Sequence, residues 1–329
     1  MKNDFKSFEL YEIYEKSING KIKRNDIVEL WDLDVYDLLY VAYRIKKTYN
    51  KNNIDLCCII NAKSGKCPEN CAFCAQSIHS NTKIDIYGLK PKEEIVKFAK
   101  YMDQYSNRFS IVTSGKKITY DEFERILDTI KEIKNKTNLK VCASLGLLDK
   151  DPLKALKELD VRLHNNLETS EDYFNEICTT HDYKDKVKTI EKAKKIGLEV
   201  CSGGIFGLGE DFKERIKMFE DLKNLNVEGI ALNILNPIEG TRIHSMIEKG
   251  EIKRITPIEA LKSIALCRIM MPEKEIRLCG GREPNLKDLQ SLSLLALDGL
   301  MIGNYLTTSG RAISDDLKMI RNMGFMVNL

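Results

Sequence analysis

The stretch Leu56-Cys57-Cys58-Ile59-Ile60-Asn61, followed after a short loop by Cys67-Pro68-Glu69-Asn70-Cys71-Ala72-Phe73-Cys74, decides how the rest of the chain is read. The apolar run has the length of a buried strand. Behind it come three cysteines spaced C-x3-C-x2-C. Iron–sulfur clusters are held by Cys thiolates, usually four to a cube, whereas structural zinc sites are closed and four-coordinate. No fourth Cys or His lies close by, and the nearest candidate, His79, is five residues beyond Cys74. Three thiolates on a [4Fe–4S] cube leave one iron without a protein ligand, which opens it to substrate chemistry. A zinc knuckle and three incidental core cysteines are the competing readings. Buried Cys are common, but a spaced triplet ahead of a loop suits a cluster better.

Outward from this stretch, short apolar runs alternate with longer amphipathic ones. Strands are predicted at residues 56–61, 108–113, 139–145, 160–165, 198–202, 228–234, 275–279 and 299–303. Helices are predicted at 92–105, 120–136, 152–159, 183–196, 212–225, 257–271, 285–297 and 315–323. Thr256 ahead of Pro257, with Glu259 three positions on, reads as a capped helix start. Asp151-Pro152 reads as a similar start, and Gly197 as a helix stop. Eight strand-then-helix units make a complete α/β (β/α)8 TIM barrel, with its active site at the C-terminal ends of the strands. The cysteine loop then sits at that mouth. A doubly wound sheet is the alternative, but no G-x-G-x-x-G opens the first helix. Residues 1–50 carry apolar stripes through Phe8, Tyr11, Ile13 and Tyr14 and again through 31–44, so a helical N-terminal cap is expected before a barrel spanning 51–329.

Composition narrows the function. The net charge is +3, with Lys and Arg interspersed among Asp and Glu, so neither nucleic acid nor an acidic membrane surface is an expected partner. No apolar run is long enough to span a bilayer, and residues 1–9 are polar rather than signal-like. A cytoplasmic protein is expected. Its ten cysteines then point to metal or redox chemistry, not to a disulfide framework.

After the fifth predicted strand comes Gly203-Gly204-Ile205-Phe206-Gly207-Leu208-Gly209-Glu210. On its own this is a glycine-rich turn whose backbone can approach a ligand, or simply a tight strand-to-helix connection. Together with the cysteine triplet, the pattern G-x-I-x-G-x-x-E resembles the radical S-adenosylmethionine superfamily. That resemblance implies that Cys67, Cys71 and Cys74 hold a [4Fe–4S] cluster whose open iron takes the amino and carboxylate groups of S-adenosylmethionine. It also implies that Phe73 lies near the adenine, that Gly204, Ile205, Gly207 and Glu210 form the adenine side, and that Thr113, Ser114 and Gly115 meet the methionine amino group.

The closer resemblance is to the biotin synthase family. It runs over residues 55–282 in five blocks: Gly65 to Ser77, His164-Asn165-Asn166-Leu167-Glu168-Thr169-Ser170, Val200-Cys201-Ser202-Gly203-Gly204 with its loop, Asn233 before Asn236-Pro237-Ile238-Glu239-Gly240-Thr241, and Arg268-Ile269-Met270-Met271-Pro272 leading to Ile276-Arg277-Leu278. The family inserts sulfur into dethiobiotin by way of deoxyadenosyl radicals, taking the sulfur from an auxiliary iron–sulfur cluster deeper in the barrel. Its two-iron auxiliary cluster is held by three Cys and one Arg. By position these fall on Cys142, Cys201 and Arg277, but the third Cys position is Ser110. Serine is a poor substitute for a soft thiolate.

Cys279 stands two residues from Arg277, on the same strand face. Two readings follow. Cys142, Cys201 and Cys279 form a rearranged set, better suited to a larger cluster with one open iron, or Cys279 is a small buried hydrophobe and the second cluster is incomplete. Only one of Cys57 and Cys58 can face inward, and Cys178 and Cys267 read as packing residues. The resemblance further implies that Asn166 and Asn233 hold the ureido ring, that Glu168 meets the nucleoside, that His181 lies near the methionine carboxylate, and that the protein is a homodimer served by a flavodoxin- or ferredoxin-type electron donor. The bland alternatives are capping for the two Asn and an ion pair for Arg277. The competing functions are another radical barrel enzyme with one working cluster, and a non-catalytic Cys-rich metal-binding protein.

Overall fold

The computed structural model describes residues 7–50 and 52–327. Eight parallel strands close on themselves: β1 (Asn53–Lys63), β2 (Arg108–Thr113), β3 (Lys140–Ser144), β4 (Arg162–His164), β5 (Val200–Phe206), β6 (Gly229–Ile234), β7 (Glu275–Leu278) and β8 (Gly299–Met301). Each pairs with the next, and β1 pairs with both β2 and β8, so no edge is left within the ring. The architecture is the expected α/β TIM barrel. A further two-residue strand, β9 (Met326–Val327), lies parallel to the start of β1.

Alternation along the strands sorts side chains to two sides. On β1, Leu56, Cys58 and Ile60 join the apolar core between strands and helices, whereas Cys57 and Ile59 line the barrel interior. The same rule turns Arg108, Ser110 and Val112 of β2 inward, and Phe109 and Ile111 outward.

Three helices precede β1: α1 (Phe8–Ile18), α2 (Arg24–Leu30) and α3 (Val35–Tyr49). The barrel helices are α4 (Lys92–Met102), α5 (Tyr120–Lys136), α6 (Lys150–Glu158), α7 (Glu171–Ile177), α8 (Tyr183–Lys195), α9 (Phe212–Asn224), α10 (Arg242–Glu248), α11 (Pro257–Met270), α12 (Arg282–Leu286) and α13 (Ile313–Asn322). The short α7 and α10 fall where no helix is predicted, and the predicted helix at 285–297 is instead α12 followed by a 3-10 helix over Lys287–Leu295. Thr256 caps α11 as expected, accepting from the Glu259 N–H at 3.2 Å while Glu259 accepts from the Thr256 N–H at 2.9 Å. α6 starts two residues earlier than Asp151-Pro152 suggests, with Asp149 as its cap residue.

Asp298, just before β8, ties this layer to the barrel. Its carboxylate accepts from the Arg268 guanidinium on α11, from the Ile276 N–H of β7 at 2.8 Å, and from Asn50 at 2.7 Å.

The glycines of β5 serve the strand packing directly. A Cβ at Gly203 would stand 1.9 Å from the Ala231 carbonyl oxygen of β6, and one at Gly204 would meet the Glu168 carbonyl oxygen at 2.5 Å. Gly203→Ala is therefore expected to destabilise the fold by about 1–3 kcal/mol or more, read as a lower denaturant midpoint. An unchanged midpoint would mean that β5 and β6 do not meet this closely.

Candidate active site

The cysteine loop leaves β1 through Gly65 and Lys66, both with left-handed backbone angles (φ 74 and 52). Two hydrogen bonds clamp Cys67: its N–H donates to the Gln76 carbonyl at 3.0 Å, and its own carbonyl accepts from the Ile78 N–H at 2.9 Å. Farther along, the Ala72 N–H donates to the Ile177 carbonyl at 2.7 Å, and the Ile243 N–H to the Ala72 carbonyl at 3.0 Å. The loop is thus fixed from both sides, by the end of α7 and the start of α10.

Buried Glu69 accepts from Thr180 Oγ1 at 2.8 Å and lies 2.5 Å from His181 Nδ1. The Cys71 sulfur lies 3.6 Å from that of Cys178, which is 3.2 Å from His181 Nδ1. In this pair Cys71 is the donor, and its thiol is pushed up by that bond and by burial. The hydrogen bond from Cys71, and then His181, draw the Cys178 thiol down to about 3 against the effect of burial. Burial opposes protonation of His181, but Cys178, and in smaller part Glu69, raise it nonetheless.

Inside the barrel lies a chamber of about 370 Å³. Cys57, Cys142, Cys201 and Cys279 line it, with Ser110 and the guanidinium groups of Arg108 and Arg277. Strand pairing sets the arrangement, since Ser110 is opposite Cys142, His164 opposite Cys201, and Ala231 opposite Arg277. Cys142, Cys201, Cys279 and Arg277 do come together, and Cys57 is the member of the Cys57–Cys58 pair that joins them.

Arg277 bonds to Asp55 at 2.9 Å and reaches Glu275 at 3.4 Å, yet its Nε and Nη1 have no partner. Arg108 Nη1 lies 3.6 Å from the Cys142 sulfur, and its Nε is likewise unpartnered. A hydrogen bond from Cys279, and then Arg277, pull the Cys57 thiol down to about 6. Burial raises Cys142 and Cys201 despite the nearby arginines.

The upper wall carries Phe73, Ile205, Asn166, Asn233, Glu168 and Lys186. Asn166 Oδ1 is buried without a partner. Asn233 instead donates to the Gly204 carbonyl at 3.3 Å and accepts from the Gly280 N–H at 3.0 Å. Thr113, Ser114, Gly115, His181, Gly204, Gly207 and Glu210 are not among the lining residues. Glu210 holds its own turn, accepting from the Gly207 N–H at 2.8 Å and from Arg215 Nε at 2.6 Å, and its second oxygen is unpartnered. Ser114 Oγ donates to the Gly65 carbonyl at 2.7 Å, tying the second loop to the cysteine loop.

Sequence reasoning overlooked Arg108, Glu69 and His164. Arg108 was readable, because it lies two residues before Ser110 and so shares its face. Cys267 is a packing residue as expected, but Cys178 is not only that, because it touches Cys71.

A parallel barrel with a clamped cysteine triplet at its mouth defines a radical S-adenosylmethionine enzyme, and residues 62–222 match the Radical SAM superfamily. Residues 231–326 match the Biotin and Thiamin Synthesis associated domain. The chain is 66% identical to a biotin synthase of Methanococcus vannielii, over 95% of this chain and 96% of that one. It is 53% identical to that of Methanocaldococcus jannaschii (95% and 97%) and 46% identical to that of Pelotomaculum thermopropionicum (96% and 99%). The chain belongs to the biotin synthase family. Solved structures share the fold at lower identity. Methylornithine synthase superposes with a TM-score of 0.82 at 20% identity over 96% of this chain and 97% of that one. The FeFe-hydrogenase maturase from Carboxydothermus hydrogenoformans gives 0.80 at 17%, over 97% and 79%.

Cys58 and Cys267 are sealed outside the barrel interior, and burial pushes the Cys58 thiol up to about 12. In cluster-free protein under argon both are expected to resist iodoacetamide until the chain unfolds, while Cys71 and Cys74, whose thiols are also raised but partly exposed, are modified slowly in the native state and ahead of them. Peptide mapping checks the order, and early labelling of Cys58 would contradict the assigned strand faces.

Proposed function

We propose that this chain makes biotin from dethiobiotin with Cys67, Cys71 and Cys74 as ligands of the radical-generating [4Fe–4S] cluster, and with Cys142, Cys201 and Cys279 beside Arg277 as the cradle of the auxiliary cluster. One observation carries the reading: four thiols and two guanidinium groups with unpartnered N–H converge at one chamber, whose upper wall includes Phe73 of the cysteine loop. Unpaired buried donors call for an anionic ligand, and a thiolate-bound iron–sulfide cluster is one. The donors therefore fit the group.

When bound, the two cofactors supply the deoxyadenosyl radical and the sulfur atom. The chain's own work is to position and to exclude water. The clamps on Cys67 and Ala72 fix the triplet before anything binds. Phe73 and Ile205 offer apolar surface to the adenine, and Glu168 lies on the same wall for the ribose or amino acid part. The free Oδ1 of Asn166 is an acceptor for a ureido N–H, and Asn233, already fixed by Gly204 and Gly280, presents its remaining amide hydrogen and lone pair.

Thr113, Ser114 and Gly115 shape the second loop, and Gly204, Gly207 and Glu210 form the turn beside the nucleoside. His181 serves the methionine end through Glu69. Ser110 leaves the place of the usual third thiolate to Cys279, and Cys57 adds a further thiol to the chamber. The reading includes residues 1–50 as a helical cap on the barrel, a cytoplasmic homodimer, and a flavodoxin- or ferredoxin-type electron donor, supported by the family resemblance. No helix among the described residues is long and apolar enough to cross a membrane.

The test is an anaerobic reaction of reduced, reconstituted protein with S-adenosylmethionine and dethiobiotin, read by mass spectrometry. Biotin and 5′-deoxyadenosine are expected from the wild type, and neither from Cys67→Ala. Cys279→Ala is expected to retain deoxyadenosine formation while losing biotin and auxiliary-cluster iron. An unchanged second-cluster spectrum in Cys279→Ala would remove that residue from the ligand set. Deoxyadenosine without biotin from the wild type would point to another substrate.

A further inference from the structure

We propose that Cys71, Cys178 and His181, with Glu69 beside them, form a mononuclear site for a divalent metal of the zinc class when the loop carries no cluster, so that zinc and the [4Fe–4S] cluster compete for Cys71. The competition rests on the reading of Cys71 as a cluster ligand; the metal site itself does not.

The distances carry the argument. Tetrahedral zinc with Zn–S near 2.3 Å and Zn–N near 2.0–2.1 Å places two ligand sulfurs about 3.8 Å apart, and a sulfur and a nitrogen about 3.6 Å apart. Here the Cys71 and Cys178 sulfurs are 3.6 Å apart, and His181 Nδ1 and Nε2 lie 3.2 and 3.9 Å from the Cys178 sulfur. One donor atom from each of the three residues falls within 4.8 Å of the other two. Cys67 and Cys74 do not belong to this group, so the single-ion set and the cluster triplet share Cys71 alone.

Glu69 Oε2, 2.5 Å from His181 Nδ1, is placed to become the fourth ligand or to orient the ring, as carboxylates beside metal-bound histidines do. Binding displaces to solvent the Cys71 thiol proton and any proton on the ring nitrogen that meets the metal, Nδ1 where Glu69 is the fourth ligand and Nε2 where Glu69 keeps the Nδ1–H to orient the ring; nothing is oxidised or reduced. Cys71 is partly exposed, which gives the ion a way in.

Two stretches far apart in the chain, Glu69–Cys71 and Cys178–His181, build this site. Cys178 is 107 residues from Cys71 in sequence, and Thr180 between Cys178 and His181 anchors Glu69 at 2.8 Å. A packing cysteine would not need a histidine and a second thiol around its sulfur, with a carboxylate behind the histidine.

The experiment uses the full-length, cluster-free protein under argon, titrated with Co2+ alone and then with Zn2+. One equivalent of cobalt with thiolate-to-metal absorption is expected, displaced by zinc. Cys178→Ala and His181→Ala should each bind cobalt at least about tenfold more weakly, while Cys67→Ala and Cys74→Ala keep it. Far-UV circular dichroism establishes that each variant is folded, and Cys178→Ser provides a second variant at the same position that should also lose the thiolate signal.

Zinc added before iron and sulfide should slow appearance of the cluster absorption in the wild type and leave its rate unchanged in Cys178→Ala. Absence of stoichiometric binding, or loss of cobalt in Cys67→Ala or Cys74→Ala with retention in Cys178→Ala, overturns the site. Binding as predicted with no effect of zinc on cluster assembly overturns the competition. Cluster assembly in Cys67→Ala without zinc tests the loop reading separately, since that variant keeps all three zinc donors.

Discussion

The structure depends on positive charge held inside the barrel without enough protein acceptors to meet it. Arg277 and Arg108 are both buried, and three of their N–H-bearing nitrogens have no partner. A buried guanidinium is tolerated only when paired and hydrogen-bonded. Asp55 and Glu275 answer part of Arg277, Arg108 Nη1 meets the Cys142 sulfur at 3.6 Å, and both arginines line the chamber that the four cysteines line. A hydrogen bond from Cys279, and then that charge, draw the Cys57 thiol down, and the unpartnered donors suit the chamber to the anionic, thiolate-bound group proposed for it. The inward strand positions are then set as much by ligand chemistry as by packing.

The mouth is governed by a different constraint, rigidity. A loop proposed to present three thiols to one cluster cannot rely on the cluster alone for its shape. Here the Gln76, Ile78, Ile177 and Ile243 hydrogen bonds fix its course in advance. Glu69 and Asn70 add side-chain ties to Thr179 and Thr180 across the barrel mouth. The same ties bring Cys178 and His181 against Cys71, so the device that shapes the loop also creates the second donor set around one of its thiols.

Much of this was legible in the sequence, for physical reasons that differ from place to place. Strand-then-helix alternation is a period signal, and it revealed the barrel because most strands are followed by an amphipathic helix; α11 is instead buried nearly all round, and β7 is followed by the short α12 and a 3-10 helix. The two-residue period also foretold that Arg277 and Cys279 share a face, and it would have given Arg108 from Ser110. Short helices were not legible: α7 and α10 are each two turns long, fixed by tertiary contacts rather than by a repeating stripe, whereas the three-residue β4 falls within the strand predicted at 160–165. The Cys71–Cys178 contact was out of reach because its partners lie far apart in sequence and meet only when loops from different barrel units converge. Glycines read as room for a ligand have another use here, since Gly203 and Gly204 are required by the neighbouring backbone itself.

The central claim is that sulfur held inside the barrel by these thiols is the sulfur that enters the product. The most direct measurement rebuilds the protein with isotopically labelled sulfide, removes free sulfide, and follows a single turnover with dethiobiotin and S-adenosylmethionine by mass spectrometry. The account predicts labelled biotin, with loss of label from the auxiliary cluster in step with product. Unlabelled biotin, formed while the labelled cluster stays intact, would contradict it.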